Sequence, residues 1–394
     1  MHDASEEIPP GRGYRDSPEQ PMYMRVRLLG TAVCVFLAAA SMWAQANGKL
    51  QMHFIDVGQG DGAILISPGG QTVAFDIGRD MVGMNCDKPV AYYDQLGIRK
   101  LDYLIVSHYH EDHIGCVPSV LASVSVDHVE DRGQSYPSEF YDAYAQATKG
   151  KRTTAHVGDR IVLDETSPSP VTIEVFAVNA NGMAARDEND LSLAVRIAYG
   201  GFRAEIGGDL SGDDADGYID VETGVAGAVG KLDVYKVHHH CSSYSSNVRW
   251  LAQTKPTIAI ISAGDGNAYG HPAAGCLERL HRAGVETYWT EHGNGATPVP
   301  GWDTVSGTTV ISVDIAAMQY TVAHGSKTEP YAIGSRPGAN VAAPAAASFA
   351  WSKLSGVYHY STCDWVKSIG PDNLETGDVP PAGKALHKDC PTHR

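Results

Sequence analysis

The segment His108–His113 contains three histidines and an aspartate within six residues, and it follows the mostly apolar run Leu101–Val106. The run predicts a buried β-strand, and the loop after a strand is free to turn its side chains towards one pocket. So many imidazole and carboxylate groups beside a buried strand would cost free energy unless a cation balanced them. Nitrogen and oxygen donors suit zinc, manganese or iron. The segment therefore predicts a site for two divalent ions, once ligands from later in the chain join it.

The composition excludes several other classes of protein. The 394 residues carry 46 acidic and 30 basic side chains, which gives a formal net charge of −16. Hydrophobic residues make up 43% and charged residues 19%, which argues against a disordered chain or a coiled coil and favours one large core. Tight non-specific binding to nucleic acid needs clustered Lys and Arg, which an acidic chain does not offer. A nucleic-acid substrate would therefore have to be held locally.

The N-terminal segment has the pattern of an export signal. Basic residues in Met24–Arg27 precede the apolar run Leu28–Ala40, and an Ala-x-Ala site ends at Ala46. This pattern predicts a secretory signal peptide over residues 1–46 with cleavage before Asn47, and the residues ahead of the basic segment suggest an over-extended start. The run is too short for a comfortable membrane span, although a non-cleaved anchor is the alternative. The mature protein is therefore predicted to be secreted or periplasmic, with no stable membrane anchor.

After the signal peptide, short β-branched segments alternate with glycine-rich turns, which predicts a folded domain over residues 47–325. Helices are expected at Pro137–Ala147 and Ala273–Ala283. Strands are expected at Leu50–Val57, Ala63–Ser67, Thr72–Phe75, Leu101–Ser107, Val171–Val178, Ser192–Tyr199, Phe202–Ile206, Leu232–Val237, Thr257–Ser262 and Val285–Trp289. Strands first, then strands alternating with helices, indicate two sheets between layers of helices. Residues 326–347 lack periodicity and predict a linker, and residues 348–394 predict a small C-terminal module with its own Cys and His residues.

The pattern His108-x-His110-x-Asp112-His113 resembles the signature of the metallo-β-lactamase fold. Five other segments are similar to the soluble hydrolase domain of ComEC-type competence proteins and of related secreted phosphodiesterases: residues 52–66, 189–192, 207–209, 236–240 and 269–272. The similarity covers about residues 49–320, in family order. It implies an α+β fold, namely a four-layer αββα sandwich with a metal centre at its edge, followed here by a small C-terminal appendage. It also implies hydrolysis of phosphodiesters or related esters.

The resemblance also implies which residues bind the two divalent ions, which we expect to be zinc, with manganese as the alternative. The implied ligands are His108 and His110 for the first ion, Asp112 and His113 for the second, and Asp209 between them. Asp209 follows two glycines after the strand Phe202–Ile206, so the backbone can approach a cation closely. His239 or His240 is expected to complete the second site. Because side chains alternate along a strand, we expect His239 to be the ligand and His240 to face the substrate.

Two departures from the family pattern matter. Where many members place a third histidine for the first ion, this chain has Asn189–Ser192, as its branch does, so the first site is expected to be looser and a drug-degrading lactamase is disfavoured. Cys116 and Cys241 stand where the resemblance leads us to expect glycine after the histidine motifs. Both flank the predicted pocket, so a disulfide between them is one hypothesis and two independent buried thiols are the other.

The remaining polar residues of the motifs suggest roles in catalysis. Asp112 belongs to the metal-assisted machinery, and the leaving group needs a proton donor, for which His271 is the first candidate and His240 the second. Asn189 and Ser192 either hydrogen-bond a phosphate oxygen or tie down their loop. In the first glycine-rich turn, residues 56 and 61 are aspartates that we expect to brace the pocket rather than bind metal.

The C-terminal module raises a separate question. Cys363 and Cys390 predict a disulfide that staples a module too small for a good core. Together with His359 and His387 they also match a tetrahedral zinc site, which is the alternative.

The chain is thus expected to be a secreted metal-dependent phosphodiesterase or nuclease. The substrate class is a phosphodiester, namely nucleic acid, a nucleotide or a phosphorylated wall component, and the acidic charge favours single strands over long duplex DNA. The alternatives are a lactonase-like or lactamase-like hydrolase of another ester or amide, and a non-catalytic binding module. The intact ligand set of the motif weakens the last of these.

Overall fold

The structure is a computed structural model, and it describes residues 46–335 apart from residue 216, residues 338 and 349–360, and short pieces between residues 363 and 387. All of the predicted signal peptide except Ala46 lies outside the described residues, as does Cys390. Among the described helices, none is both long and apolar enough to cross a membrane.

Two large sheets form the main body. The first has nine strands: Leu50–Phe54 (β1), Gly62–Ile66 (β2), Thr72–Ile77 (β3), Lys100–Ile105 (β4), Ser125–Asp131 (β5), Arg152–Thr154 (β6), Thr309–Asp314 (β15), Gln319–His324 (β16) and Lys327–Ala332 (β17). The second has eight strands: Arg160–Leu163 (β7), Val171–Ala177 (β8), Ala194–Tyr199 (β9), Phe202–Ile206 (β10), Val234–Lys236 (β11), Ile258–Ile261 (β12), Glu286–Trp289 (β13) and Asp303–Val305 (β14). In the second sheet, β10 to β14 run parallel to one another.

Seven α-helices and three short 3₁₀ turns are present in the described residues. The helices are Asp87–Leu96 (α1), Glu111–Ile114 (α2), Val117–Leu121 (α3), Glu139–Ala147 (α4), Glu222–Val229 (α5), Val248–Thr254 (α6) and Ala274–Arg282 (α7). The 3₁₀ turns are Asn179–Gly182, Asn189–Leu191 and His238–Cys241.

Three apolar cores show why the elements stack in four layers. Strand β12 illustrates the pattern, because Ile258 and Ile260 point into the core between the sheets while Ala259 and Ile261 point to the outer core under α5, α6 and α7. A second outer core packs α1, α3 and α4 on the first sheet. Strands buried on both faces read as continuous apolar runs, which is why they were predictable. The predicted αββα sandwich is confirmed.

The first sheet extends past the predicted end of the domain. Strand β17 pairs antiparallel with β16 over Lys327–Ala332, inside the stretch 326–347 that the sequence assigned to a linker. Backbone pairing and the burial of Tyr331 hold this strand although its composition is polar. The linker prediction is therefore wrong for these six residues, and residues 339–348 lie outside the described part of the chain.

Two disulfide bonds join Cys86 to Cys116 and Cys241 to Cys276. The predicted pairing of Cys116 with Cys241 is therefore wrong, and so is the alternative of independent thiols. The physical reason is the layering, since Cys116 lies in the outer core of the first sheet and Cys241 in the outer core of the second. Each disulfide instead joins a histidine segment to a helix of the same layer. Cys116 pairs with Cys86 at the start of α1, and Cys241 pairs with Cys276 in α7.

The C-terminal module forms a four-stranded sheet in the order β20-β18-β19-β21. Its strands are Phe349–Ser352 (β18), Val357–Tyr360 (β19), Leu374–Gly377 (β20) and Ala385–Leu386 (β21). The guanidinium of Arg282, at the end of α7, lies 4.3 Å from the ring centre of Phe349 and 4.5 Å from that of Tyr360. These cation–π contacts connect the module to the main body.

Within the module, His359 stacks on His387 with ring centres 4.8 Å apart, and Cys363 Sγ lies 3.7 Å from His359 Nδ1. Cys363 is disulfide-bonded. We predict that non-reducing peptide mapping recovers Cys363 and Cys390 in one linked peptide, because closure of a loop of this length contributes about 3 kcal/mol in the chain-entropy model. Recovery of both as free thiols, with zinc bound beyond the capacity of the 108–113 motif and Asp209, would favour the four-ligand zinc site.

Candidate metal centre

The candidate site lies where strands of both sheets end. The first sheet contributes His108–His113, directly after β4. The second sheet contributes Asp209 after β10 and the turn His238–Cys241 after β11, and these two strands are parallel neighbours. Because parallel strands end at the same edge of a sheet, the topology brings these segments together.

Four residues form the most compact ligand set. One donor atom from each of Asp112, His113, Asp209 and His240 lies within 4.8 Å of the others. His240 Nε2 lies 3.1 Å from Asp112 Oδ2, and His113 Nε2 lies 3.2 Å from Asp209 Oδ1. His113 Nε2 and Asp209 Oδ1 are both buried without a hydrogen-bond partner. Two imidazole nitrogens and two carboxylates with unused buried donor atoms fit a divalent cation.

This arrangement reverses the predicted order of His239 and His240. His240 joins the compact ligand set, whereas His239 lies to the side of Asp209 that faces away from His113. The prediction assumed that the strand continued and that side chains alternated. Instead the chain leaves β11 in a tight turn, with φ of 49° at His239 and 51° at His240. Both residues are in the left-handed region, so strand alternation does not apply.

The second nitrogen of each histidine in the compact set is held by a hydrogen-bonding group. His113 Nδ1 lies 2.8 Å from Asp76 Oδ2, and Ser107 Oγ donates to the same oxygen at 2.6 Å. His240 Nδ1 lies 2.9 Å from the carbonyl oxygen of Ser262. Such partners fix the ring orientation of metal-binding histidines. Sequence reasoning missed Asp76, although its place near the end of a buried strand was a usable signal.

Asp61 lies beside the same histidine, and its predicted bracing role stays a prediction. Its Oδ1 lies 3.3 Å from His240 Nδ1, and its Oδ2 accepts a hydrogen bond from Lys236 Nζ at 2.8 Å. Asp56 is different, because its carboxylate pairs with Lys88 at the protein surface.

His238 holds the turn through hydrogen bonds to two buried carboxylates. It is fully buried, with Nδ1 2.7 Å from Glu222 Oε1 and Nε2 3.0 Å from Glu205 Oε1. Burial by itself lowers its pKa, but these two carboxylates raise the pKa of His238 to about 9. The residue therefore anchors the turn in the second sheet and takes no direct part in the ligand set. Sequence reasoning did not identify this anchor.

His108 and His110 form the other half of the site. His108 Nε2 lies 3.0 Å from His110 Nδ1 and 4.0 Å from Asp209 Oδ2. Ser192 is fully buried, with Oγ 3.5 Å from His108 Nδ1, and it accepts a hydrogen bond from the Asp209 amide at 3.3 Å. Of the two predicted roles for Ser192, these contacts favour tying down the loop over binding a phosphate oxygen.

Asn189 and His271 face the pocket above the ligands. Asn189 Nδ2 lies 3.4 Å from His239 Nε2, and the His271 ring centre lies 5.5 Å from that of His239. Burial lowers the pKa of His271 to about 3, so its ring is neutral near pH 7. A neutral ring suits hydrogen bonding to a substrate oxygen better than delivery of a full proton, the role first expected from the sequence.

The buried charges favour a cation in the ligand set. Burial alone would raise the pKa of Asp209, but His113, His240 and His239 hold it well below its usual range. Burial lowers the pKa of His108 well below its usual value. Burial also disfavours a charged His113, yet Asp209 and Asp112 keep the pKa of His113 well above its usual value. The carboxylates thus favour positive charge beside them, and a divalent cation at these ligands would supply it as His113 gave up its proton.

Three residues of the compact set, Asp112, Asp209 and His240, line a cavity of about 420 Å³. Among the described lining residues, three tyrosines each contact a histidine ring: Tyr136 with His110, Tyr218 with His239 and Tyr269 with His271. None of the described lining residues is Lys or Arg. Around the ligand set, the described lining of the cavity therefore offers aromatic rings, carboxylates and imidazoles, but no Lys or Arg.

Comparison with known proteins agrees with this geometry. Residues 52–182 match the family model of the metallo-beta-lactamase superfamily. ComE operon protein 3 of Bacillus subtilis is 23% identical over 298 residues, which are 69% of this chain and 36% of that protein. Recombination protein 2 of Haemophilus influenzae is 27% identical over 235 residues, which are 59% of this chain and 26% of that protein. The chain therefore spans about a third of the length of these curated relatives.

Among solved structures, the metallo-beta-lactamase fold protein YhfI from Bacillus subtilis aligns with 67% of this chain and 100% of its own, at 14% identity and a TM-score of 0.35. The family match covers most of β1, strands β2 to β6 of the first sheet and the His108–His113 segment, and the matches to the curated relatives span more than half of the chain. This chain therefore carries a domain of the metallo-β-lactamase fold that is similar to part of these curated relatives.

Proposed function

We propose that this chain is a metal-dependent phosphodiesterase that acts on single-stranded nucleic acid or nucleotides. The observation that carries the proposal is the compact set of Asp112, His113, Asp209 and His240, three of which line an accessible cavity. Divalent ions at these ligands supply Lewis acidity and activate water for hydrolysis. Asp209 and Asp112 fix the ligand set from opposite sheets, and Asn189 and His271 are placed to hydrogen-bond the substrate above it.

The cavity lining supports a substrate that carries planar rings. Without Lys or Arg among its described lining residues, the cavity has no side chain that binds a run of phosphates. Two nearby cations are already paired, Arg79 with Glu111 and Arg186 with Asp214. Tyr136 lines the same cavity and offers one of the ring faces on which bases stack in single-stranded nucleic acid. In this proposal the metal centre binds the phosphate, and the aromatic side chains of the cavity select substrates that carry bases.

Tyr269 allows a direct measurement of this stacking, because 58% of its surface is exposed and its ring lies nearly parallel to His271. We predict that Tyr269→Leu raises KM for a short oligothymidylate about fivefold or more, since loss of one base–aromatic contact costs about 1–3 kcal/mol. Tyr269→Phe keeps the ring and should retain the wild-type KM. Equal KM values for the Leu and Phe variants would exclude stacking at this position.

The test of the proposed activity is a substrate panel on metal-loaded protein. It includes bis-p-nitrophenyl phosphate, single-stranded DNA and nitrocefin, each with and without a chelator. Chelator-sensitive hydrolysis of the phosphodiesters supports the proposal. Hydrolysis of nitrocefin alone would support a lactamase instead, and no turnover of any phosphodiester in fully metal-loaded protein would contradict the proposal.

We also propose that the protein is exported. The basic segment, apolar run and Ala-x-Ala site near the N-terminus support this, as do the two disulfides of the main body, since such bonds persist in oxidising compartments. Intact-mass measurement on native protein should show a mature chain that begins at or near Asn47. A native chain that retains Met1 or Met24 would contradict cleavage at this site.

A further inference from the structure

The two carboxylate oxygens of Asp209 face different histidine pairs. Oδ1 lies 3.2 Å from His113 Nε2 and 3.6 Å from His240 Nε2. Oδ2 lies 3.7 Å from His239 Nε2 and 4.0 Å from His108 Nε2. Donor atoms around one tetrahedral zinc ion lie about 3.3 Å apart, given bonds of about 2.0–2.1 Å. Asp209 thus divides the histidines into two sets, and His239 falls in the set of His108.

The backbone turn explains how neighbouring residues reach different sets. His239, His240 and Cys241 have φ values of 49°, 51° and 62°, a conformation that costs about 1–3 kcal/mol for each residue other than glycine. The His239 amide donates to the Gly208 carbonyl at 3.1 Å, which holds the turn beside Asp209. Two successive imidazoles therefore face the two oxygens of one carboxylate, an arrangement that a regular strand cannot produce.

The first site otherwise lacks a third histidine. The segment that would supply one contributes Asn189, whose Nδ2 lies 3.4 Å from His239 Nε2, and Ser192, which contacts the far nitrogen of His108. We propose that His239 is the third histidine ligand of the first ion and occupies the role left open at Asn189. His108, His110, His239 and Asp209 would then hold the first ion, and the site would not lack a third histidine.

The experiment measures bound metal, so it does not depend on which ester the site hydrolyses. Zinc content and zinc affinity are determined by elemental analysis and calorimetry for the wild type, His239→Ala, His239→Gln and His240→Ala. We expect two ions in the wild type. Each histidine variant should lose one ion or bind it at least about 100-fold more weakly, because loss of even a supporting residue outside the ligand set costs about 10–100-fold in affinity.

Two further variants make the assignment specific. Asn189→His in the His239→Ala background returns a histidine to the empty position and should restore the second ion. His271→Ala removes a pocket histidine that is next to His239 but is outside the ligand set, and it should keep both ions. Circular dichroism establishes that each variant is folded, and the Gln variant serves if the Ala variant is not.

The inference is overturned if folded His239→Ala or His239→Gln binds two ions with wild-type affinities. It is also overturned if the wild type binds a single ion that His240→Ala loses and His239→Ala retains. Failure of the phosphodiesterase proposal would appear separately, as two bound ions without phosphodiester turnover.

Discussion

Replacement of Asp209 by Ala is expected to lower kcat/KM for bis-p-nitrophenyl phosphate by more than about 1,000-fold, which corresponds to about 4 kcal/mol of transition-state stabilisation. Asp209 is 2% exposed, and its two oxygens face His113 and His240 on one side and His108 and His239 on the other. Removing it therefore takes a ligand from both halves of the site at once.

The measurement compares metal-saturated wild-type and variant protein, with circular dichroism to confirm the fold. Asp127→Ala is the matched control, because Asp127 is a surface carboxylate that pairs with Lys100. Lys100 begins β4, whereas the His108–His113 segment follows the end of that strand. The control variant should retain wild-type activity. Activity of Asp209→Ala within tenfold of the wild type would mean that the reaction does not use this ligand set.

Replacement of Asp61 by Ala is expected to lower the free energy of unfolding by about 3–5 kcal/mol. Asp61 is 4% exposed and Lys236 is 3% exposed, and their side chains form an ion pair between the two sheets at 2.8 Å. Loss of the carboxylate leaves the ammonium group buried with only the carbonyl oxygen of Val237 as acceptor, at 3.1 Å. An uncompensated buried charge is costly, whereas loss of both charges together is not.

Urea unfolding in the presence of a chelator isolates this effect from metal binding, to which Asp61 also contributes through His240. The double variant Asp61→Leu/Lys236→Met removes both charges and should recover most of the lost stability. If Asp61→Ala unfolds at the wild-type urea concentration, the ion pair does not contribute in the way its burial indicates.

The four-layer architecture and most residues of the compact set could be predicted from the sequence, for two different reasons. Strands such as β12 are buried on both faces, so their composition alone marks them. Most of the compact set could be predicted from local motifs. The position of His108–His113, for example, depends only on where one strand ends. Long-range features were harder, as shown by α5, whose sequence Glu-Thr-Gly-Val-Ala-Gly-Ala-Val has two glycines and is helical because it packs on the outer core.

The errors share one physical cause, namely that local pattern does not determine three-dimensional position. The order of His239 and His240 failed because a left-handed turn replaces the strand at that point. The pairing of Cys116 failed because both histidine segments flank one pocket while the residues just after them enter opposite outer cores. The two cysteines lie on opposite sides of the pair of sheets, and this follows from the layering and not from the local sequence.

We expect the two disulfides to couple the redox state of the protein to its metal content. Cys116 and Cys241 each follow a ligand segment, and their partners Cys86 and Cys276 tie those segments to structure elsewhere in the same layer. If a closed disulfide orders the segment that binds an ion, the bound ion must in turn make that disulfide harder to reduce by the same free energy, since linkage is reciprocal. Protein loaded with zinc should therefore resist thiol reductants that open the metal-free form, and a chelator and a reductant should act together more strongly than either does alone.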